Sequence, residues 1–160
     1  MSSDLKIGMP YMGGVIAYML QQGDHGYDAG TPHGLIAAPA DQSSGIEWGA
    51  DGKDTNAYGA DLGTGHANTS AIMKAGGSGN AAYLCQMLTL GGFNDWYLPS
   101  KQELNKLFIN REAIGGFSHA YYWSSTEASG YSAWYQFFES GYQNYSSKFL
   151  KNYVRAVRTF

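Results

Sequence analysis

The last third of the chain contains three runs in which aromatic or β-branched residues alternate with smaller polar ones. The runs are "AYYWSSTE", "SAWYQFF" and "NYVRAVRTF", and the segments "ASGY" and "ESGYQNYSSK" separate them. Aromatic and β-branched residues favour strands, whereas Gly, Ser and Asn favour the turns between strands. We therefore predict three antiparallel strands after Arg111.

The clearest helix signal precedes these strands, in "LPSKQELNKLF". Ser100 and Glu103 have the spacing of a capping box, in which each side chain accepts a hydrogen bond from the other residue's backbone amide. Leu104, Leu107 and Phe108 then share one apolar face of the predicted helix. The capping box explains Glu103 better than a catalytic role does.

The first hundred residues contain fewer regular signals. Two predicted strands, "GGVIAYML" and "HGLIAAP", flank a loop rich in Gly and Asp, and residues 41–65 are predicted to form an ordered surface loop. We expect one helix from Asn68 or Thr69 to Met73 and another over "AAYLCQMLTL". Strands, helices and strands in this order predict an α+β fold, in a single domain over residues 1–160.

Composition argues against several classes of function. The formal net charge is −3, and the ten Lys and Arg residues are scattered along the chain. Nucleic acids and anionic membranes bind clustered basic residues, so we predict neither a nucleic-acid partner nor membrane insertion. The apolar runs are also too short to cross a bilayer.

The residue types that carry catalysis are not clustered. The four histidines are far apart and lie outside zinc-binding motifs, and the single cysteine, Cys85, lies in an apolar segment that raises a thiol pKa. Carboxylates in the predicted loops are able to bind Ca²⁺, although their spacing does not match an EF-hand. We therefore predict no catalysis and no cofactor, with Ca²⁺ as an alternative that nothing further supports.

Three motifs occur in a fixed order: W-Y-L-P-S-x-x-E-L, Y-W-S-S-T-E and Y-V-R-A-V-R. With them the chain resembles a bacterial family of C-type-lectin-like domains, found at the C-terminus of collagen-like adhesins. The resemblance extends, with gaps, from "GGVIAYML" to the last residue. It implies a C-type-lectin-like fold, with a small antiparallel sheet, two helices and long loops near the ligand surface.

The same wider fold includes formylglycine-generating enzymes and calcium-dependent lectins. The enzymes use a pair of cysteines, and the lectins carry an E-P-N or Q-P-D triplet. This chain has one cysteine and neither triplet. The resemblance therefore favours ligand binding without catalysis and without a calcium-bridged sugar.

The C-terminal region also resembles the variable proteins of diversity-generating retroelements, with residues 129–152 as the candidate variable region. In those proteins this fold displays residues mutated at template adenines, usually in Asn codons, which cannot yield Trp, Gln, Glu, Lys or Met. The reachable residues here, which we predict to bind the ligand, are Tyr131, Ser132, Tyr135, Phe137, Ser140, Tyr142, Asn144, Tyr145, Ser146, Ser147, Phe149, Leu150 and Asn152. Burial in the core is an equal alternative for Phe137, Phe149 and Leu150.

Alternation along the "SAWYQFF" strand predicts a structural face and a display face. Trp134, Gln136 and Phe138 share one face, and Tyr135 and Phe137 share the other. Tyr, Ser and Asn are also enriched in antibody binding sites, because Tyr offers a large amphipathic contact area with few rotatable bonds. The composition of this region is therefore typical of a binding surface.

These features predict a non-enzymatic binding domain that displays a diversified surface to a protein or glycan ligand on another cell or particle. The expected main contacts are Tyr131, Tyr135, Tyr142 and Tyr145. The alternatives are a fixed bacterial adhesin domain for polysaccharide and, with less support, an enzyme of the formylglycine-generating type. No export signal is visible, and we expect the domain at a cell surface, in secreted form or on a phage particle.

Overall fold

The structure is a computed structural model that describes residues 4–160. Its strands are β1 (Pro10–Tyr11), β2 (Gly14–Met19), β3 (Gly34–Ala37), β4 (Ser43–Glu47), β5 (Tyr121–Glu127), β6 (Ser132–Phe137), β7 (Gln143–Ser147), β8 (Lys151–Val154) and β9 (Val157–Thr159). Its helices are α1 (Gly65–Gly76), α2 (Ala81–Gln86), α3 (Lys101–Ile109) and α4 (Arg111–Ile114). The predicted α+β class is confirmed, with four helices where the resemblance implied two.

The strands form two sheets. One is antiparallel with the order β1-β2-β3-β9, and the other has the order β4-β8-β5-β6-β7. In the second sheet β5 pairs antiparallel with β6 but parallel with β8, where Tyr122 lies opposite Tyr153. The prediction of a wholly antiparallel final third is therefore wrong for β8, because the chain crosses from the edge strand β7 to the gap between β4 and β5.

The run "NYVRAVRTF" forms two strands in different sheets, although it was predicted as one. Arg155 lies between β8 and β9 with its guanidinium fully buried. It donates to Asp41 at 2.9 Å, to the Ala38 carbonyl at 3.0 Å and to the Gly116 carbonyl at 2.7 Å. These bonds fix the crossing between the sheets, and they give Arg155 a structural role.

The predicted capping box is present at the start of α3. The Ser100 hydroxyl accepts from the Glu103 amide at 3.3 Å, and the Glu103 carboxylate accepts from the Ser100 amide at 2.8 Å. Leu104 and Leu107 are buried and Phe108 is partly buried, as the apolar face predicted. Among residues 4–160, no helix is long and apolar enough to cross a membrane.

Helix boundaries elsewhere differ from the prediction. α1 begins at Gly65, after the N-cap residue Thr64, and not at Asn68 or Thr69. The buried side chains of Asn68 and Thr69 donate to the carbonyls of Gly59 and Gly65 and do not cap the helix. α2 ends at Gln86, before the end of the predicted segment at Leu90.

Two strands were missed within segments predicted as loops, β4 inside residues 41–65 and β7 inside "ESGYQNYSSK". Both are edge strands made mainly of polar residues. They are held by backbone pairing to β8 and β6, which residue type alone does not reveal.

Two apolar clusters connect the sheets and helices. One includes Trp48, Trp96 and Trp123, and the other includes Tyr97 and Phe138. From the sequence we expected four aromatic residues of the last third in the core. Trp123 and Phe138 are fully buried there, whereas Trp134 and Tyr153 are only partly buried.

A candidate ligand-binding ribbon

Residues 129–152 fold around the hairpin of β6 and β7, which we call the ribbon together with its turns. Five register pairs join the two strands, from Ser132 opposite Ser147 to Gln136 opposite Gln143. β7 is the edge of the five-stranded sheet, so one long side of the ribbon is free of neighbouring strands. Because side chains alternate along each strand, the ribbon has two faces with different surroundings.

One face of the ribbon, the helix face, packs against α3. Trp134 lies opposite Tyr145 with their ring centroids 5.2 Å apart, and the Lys101 Nζ lies 3.7 Å from the Trp134 centroid. Gln136 is fully buried and donates to the Asn105 Oδ1 at 2.9 Å. The structural face predicted for Trp134 and Gln136 is therefore present, and Tyr145 lies at its rim, away from Tyr135.

The opposite face, the aromatic face, consists of Tyr121, Tyr135, Phe137, Tyr142 and Asn144. Tyr121 belongs to β5 and stacks on Phe137, with centroids 4.5 Å apart and rings 23° from parallel. Tyr135 meets Tyr121 edge-on at 5.1 Å and 84°. Asn144 donates to the Tyr142 hydroxyl at 2.7 Å. Four aromatic rings thus form one surface, and Tyr121 and Tyr142 are 46% and 56% exposed.

A third group lies at the open end of the ribbon. The Lys148 amide donates to the Tyr131 carbonyl at 3.0 Å, which brings Phe149 and Leu150 close to Tyr131. Tyr131, Phe149 and Leu150 are 69%, 59% and 46% exposed. Of the two alternatives left open for Phe149 and Leu150, the structure thus shows exposure, whereas Phe137 is partly buried against Tyr121.

A fully buried ion pair fixes the base of the ribbon. Lys148 and Glu127 have completely inaccessible side chains and are in direct contact. The Lys148 ammonium also donates to the carbonyls of Lys53 at 2.9 Å and Ala50 at 3.3 Å, and the Glu127 carboxylate accepts from the Thr55 amide at 3.1 Å. The ribbon is therefore attached to the loop before α1 by groups that are inaccessible from the surface.

In a comparison with protein families, the model described as the Lcl C-terminal domain matches residues 38–158. The chain belongs to the Lcl C-terminal domain family. This is the family of collagen-like adhesins that the three sequence motifs resemble, and it indicates an adhesin-like or ligand-binding domain. No curated protein matches the chain.

In this Lcl C-terminal domain the thirteen candidate residues are all exposed or partly buried. They do not form one surface. The aromatic face contains Tyr135, Phe137, Tyr142 and Asn144, and the open end contains Tyr131, Phe149 and Leu150. The others are distributed over the helix face, the hairpin turn and neighbouring positions: Ser132, Tyr145, Ser147, Ser140, Ser146 and Asn152.

Tyr121 of the Lcl C-terminal domain was not among the predicted site residues. It lies in β5, outside the candidate variable region, but directly opposite Phe137 in the register. The available signal was its position two residues before Trp123, which places both on one face of a strand. That pattern does not tell which half of the face is covered, and the structure covers Trp123 and leaves Tyr121 exposed.

The aromatic face is uncharged at neutral pH. Burial raises the pKa of Tyr135 above its usual value, and the neighbouring Tyr142 and Tyr121 raise it further. The Tyr135 phenol therefore stays protonated, and this face contains no Asp, Glu, Lys or Arg side chain. The face is able to contact apolar groups without desolvating an ion.

Two further observations concern the residue types that catalysis and metal binding use. Cys85 is completely buried, and desolvation raises the pKa of its thiol well above the usual range. Across residues 4–160, no three His, Cys, Asp or Glu side chains are grouped so that they are able to hold a metal ion.

Proposed function

We propose that this Lcl C-terminal domain is a non-enzymatic receptor-recognition domain whose ribbon displays a diversified surface. The main support is a contrast within the ribbon between accessible candidate residues and a buried support. Each of the thirteen candidate residues has an accessible side chain. Two residues whose types adenine mutagenesis of Asn codons cannot supply, Gln136 and Lys148, are completely buried and bonded to the rest of the domain. The other residues of such types are accessible: Trp134, Glu139, Gln143 and Lys151.

This contrast gives a physical route to variation without loss of the fold. Surface substitutions away from packed or hydrogen-bonded groups usually change stability by only about 0.5 kcal/mol. The backbone of the ribbon is fixed by the sheet register, by Gln136 and by the pair of Lys148 with Glu127. New side chains at the exposed positions therefore change what is recognised and leave the support unchanged.

The test is the natural variation of the gene. Sequencing the locus in many related isolates should show substitutions concentrated at the thirteen positions, with Gln136, Lys148 and Glu127 constant. A near-copy of the segment that encodes the ribbon, next to a reverse transcriptase gene, should lie nearby. Substitutions spread evenly over residues 4–160 would count against diversification and leave only the coarser adhesin-like or ligand-binding role.

The second candidate function is a fixed adhesin domain for polysaccharide, which family membership favours. Binding to a glycan array would be lost when Tyr131 and Tyr142 are replaced by Ala and would be the same in natural variants of the protein. A ligand that changes from one natural variant to the next would argue for the diversified surface.

We also propose that the domain does not catalyse oxidation of the formylglycine-generating kind and needs no bound cofactor. The only cysteine of the chain, Cys85, is fully buried and its raised pKa disfavours the reactive thiolate. The proposed ligand belongs to another cell or particle, and the proposed location is a cell surface, a secreted form or a phage particle. Oxidation of a sulfatase cysteine peptide that stops in Cys85→Ser would overturn the non-enzymatic part.

A further inference from the structure

Tyr121 gives the aromatic face a component that the variable region does not encode. Tyr121 is 46% exposed although β5 is the central strand of its sheet. Aromatic cross-strand pairs stabilise sheets, and the stack with Phe137 accounts for part of this arrangement. It does not account for the exposed part of the ring, since a partly buried aliphatic residue would also support Phe137.

The ring geometry bears on what kind of ligand this face binds. Sugars pack their C–H groups flat against the open face of an aromatic ring. Tyr121 and Phe137 are stacked on each other, and Tyr135 is edge-on to Tyr121. One face of each stacked ring is therefore already occupied, and flat stacking of a pyranose is restricted here.

The hydrogen-bonding groups of the ribbon also disfavour a sugar ligand. Sugar hydroxyls are bound mainly by planar amides and carboxylates with free donors or acceptors. The amide of Asn144 donates to Tyr142 and accepts from the Tyr145 amide at 2.8 Å. Gln136 is buried, and Gln143 donates to the Lys101 carbonyl at 3.0 Å. These amides are already engaged, and the aromatic face has no carboxylate.

Beside these amides, the uncharged surface offers ring edges and phenol hydroxyls. The Tyr142 hydroxyl accepts from Asn144 and is still able to donate. Such a surface complements an apolar side chain that protrudes from a folded protein, with the hydroxyls binding backbone groups around it. We propose that the aromatic face binds a protein ligand of this kind and that Tyr121 is a constant contact residue of that site. This inference rests on the proposed function and names the ligand class of the same surface.

The experiment is a two-step selection with the whole chain displayed on yeast. Codons 121, 135, 137, 142 and 144 are randomised with a mixture that encodes Tyr, Phe and small or polar residues. The library is first sorted for folded, protease-resistant molecules and sequenced. It is then sorted for binding to two protein probes, lysozyme and serum albumin, and in parallel to two polysaccharide probes, dextran and heparin.

We expect binders to the proteins and none to the polysaccharides. Tyr at position 121 should be enriched among protein binders by about fivefold or more over the folded pool, as for a central contact residue. Because the reference is the folded pool, an effect of Tyr121 on folding does not enter this ratio. Tyr27, an exposed tyrosine of the loop between β2 and β3, is randomised as the control and should show no enrichment.

Three outcomes would overturn the inference. These are polysaccharide binders as frequent as protein binders, no binders of either class, and no enrichment of Tyr at position 121 beyond that at position 27. This result does not depend on the test of diversification. If substitutions among natural genes were spread evenly over the chain, the class of ligand found in the selection would be unchanged.

Discussion

Lys148 and Glu127 form an ion pair in which both side chains are completely buried. The Lys148 ammonium also donates to the carbonyls of Ala50 and Lys53, and the Glu127 carboxylate also accepts from the Thr55 amide. A buried ion pair contributes little net stability compared with apolar residues, but breaking it leaves an unpaired buried charge. The pair therefore fixes the position of the ribbon more than it adds to the stability of the fold.

Replacing Lys148 by Met should lower the free energy of unfolding by about 3–5 kcal/mol, because Glu127 is left without a counter-charge. Urea denaturation measures the change. The double variant Lys148→Met/Glu127→Leu should recover part of the loss, since no buried charge remains. Lys151→Met, at an exposed lysine of β8, is the matched control and should change the free energy by less than about 0.5 kcal/mol. A cost below about 1 kcal/mol for Lys148→Met would contradict the buried pair.

Glu103→Gln should destabilise the protein although it preserves the shape of the side chain. The buried carboxylate accepts from the amides of Ser100, Gly63 and Gly65 and from the Tyr97 hydroxyl, at 2.8–3.1 Å. An amide nitrogen would face donors, so we expect a loss of about 1.5–3 kcal/mol in urea denaturation. Glu112→Gln, at an exposed position of α4, should have almost no effect. Equal effects of the two substitutions would contradict the role of Glu103.

The stability contributed by Asp95 and Arg158 should depend on pH. The Arg158 guanidinium donates to both carboxylate oxygens of Asp95, at 2.7 and 3.0 Å, and these bonds lower the pKa of Asp95. A lowered folded-state pKa means that the contribution is present above the unfolded pKa of about 4 and is lost as the pH falls through the folded pKa. The Asp95 side chain is 50% exposed, so solvent screening limits the contribution to less than about 1 kcal/mol.

The measurement for this pair compares wild type with Asp95→Asn in urea denaturation at about pH 7 and about pH 3. The difference in free energy of unfolding should be present at the higher pH and shrink at the lower one. A difference that is the same at both pH values would show that the charge of Asp95 does not stabilise the fold.

Cys85 should be unreactive towards a thiol reagent in the folded protein and react completely in urea, because its thiol is fully buried and has a raised pKa. Absorbance of the released thiolate measures the reaction. Ser129→Cys, at an exposed position before β6, is the control and should react at once in the folded state. Rapid reaction of Cys85 in the native protein would contradict its burial.

Features that depend on neighbours in the sequence were predicted well. The capping box joins Ser100 to Glu103 within one helical turn, so the sequence contains both partners. The alternation that separates Gln136 from Tyr135 also follows from a single strand. The edge strands β4 and β7 were missed, because their polar residues become strands only through backbone pairing with β8 and β6.

By itself, the sequence determined the α+β class, the family and the residue types of the candidate binding region. The tertiary structure decided that Arg155 separates two sheets through Asp41, 114 residues away, and that Tyr121 joins Phe137 on the aromatic face. It also decided that Tyr145 lies on the other face, with Trp134. The physical reason is that alternation along a strand is local, whereas which face is covered depends on elements brought together from distant parts of the chain.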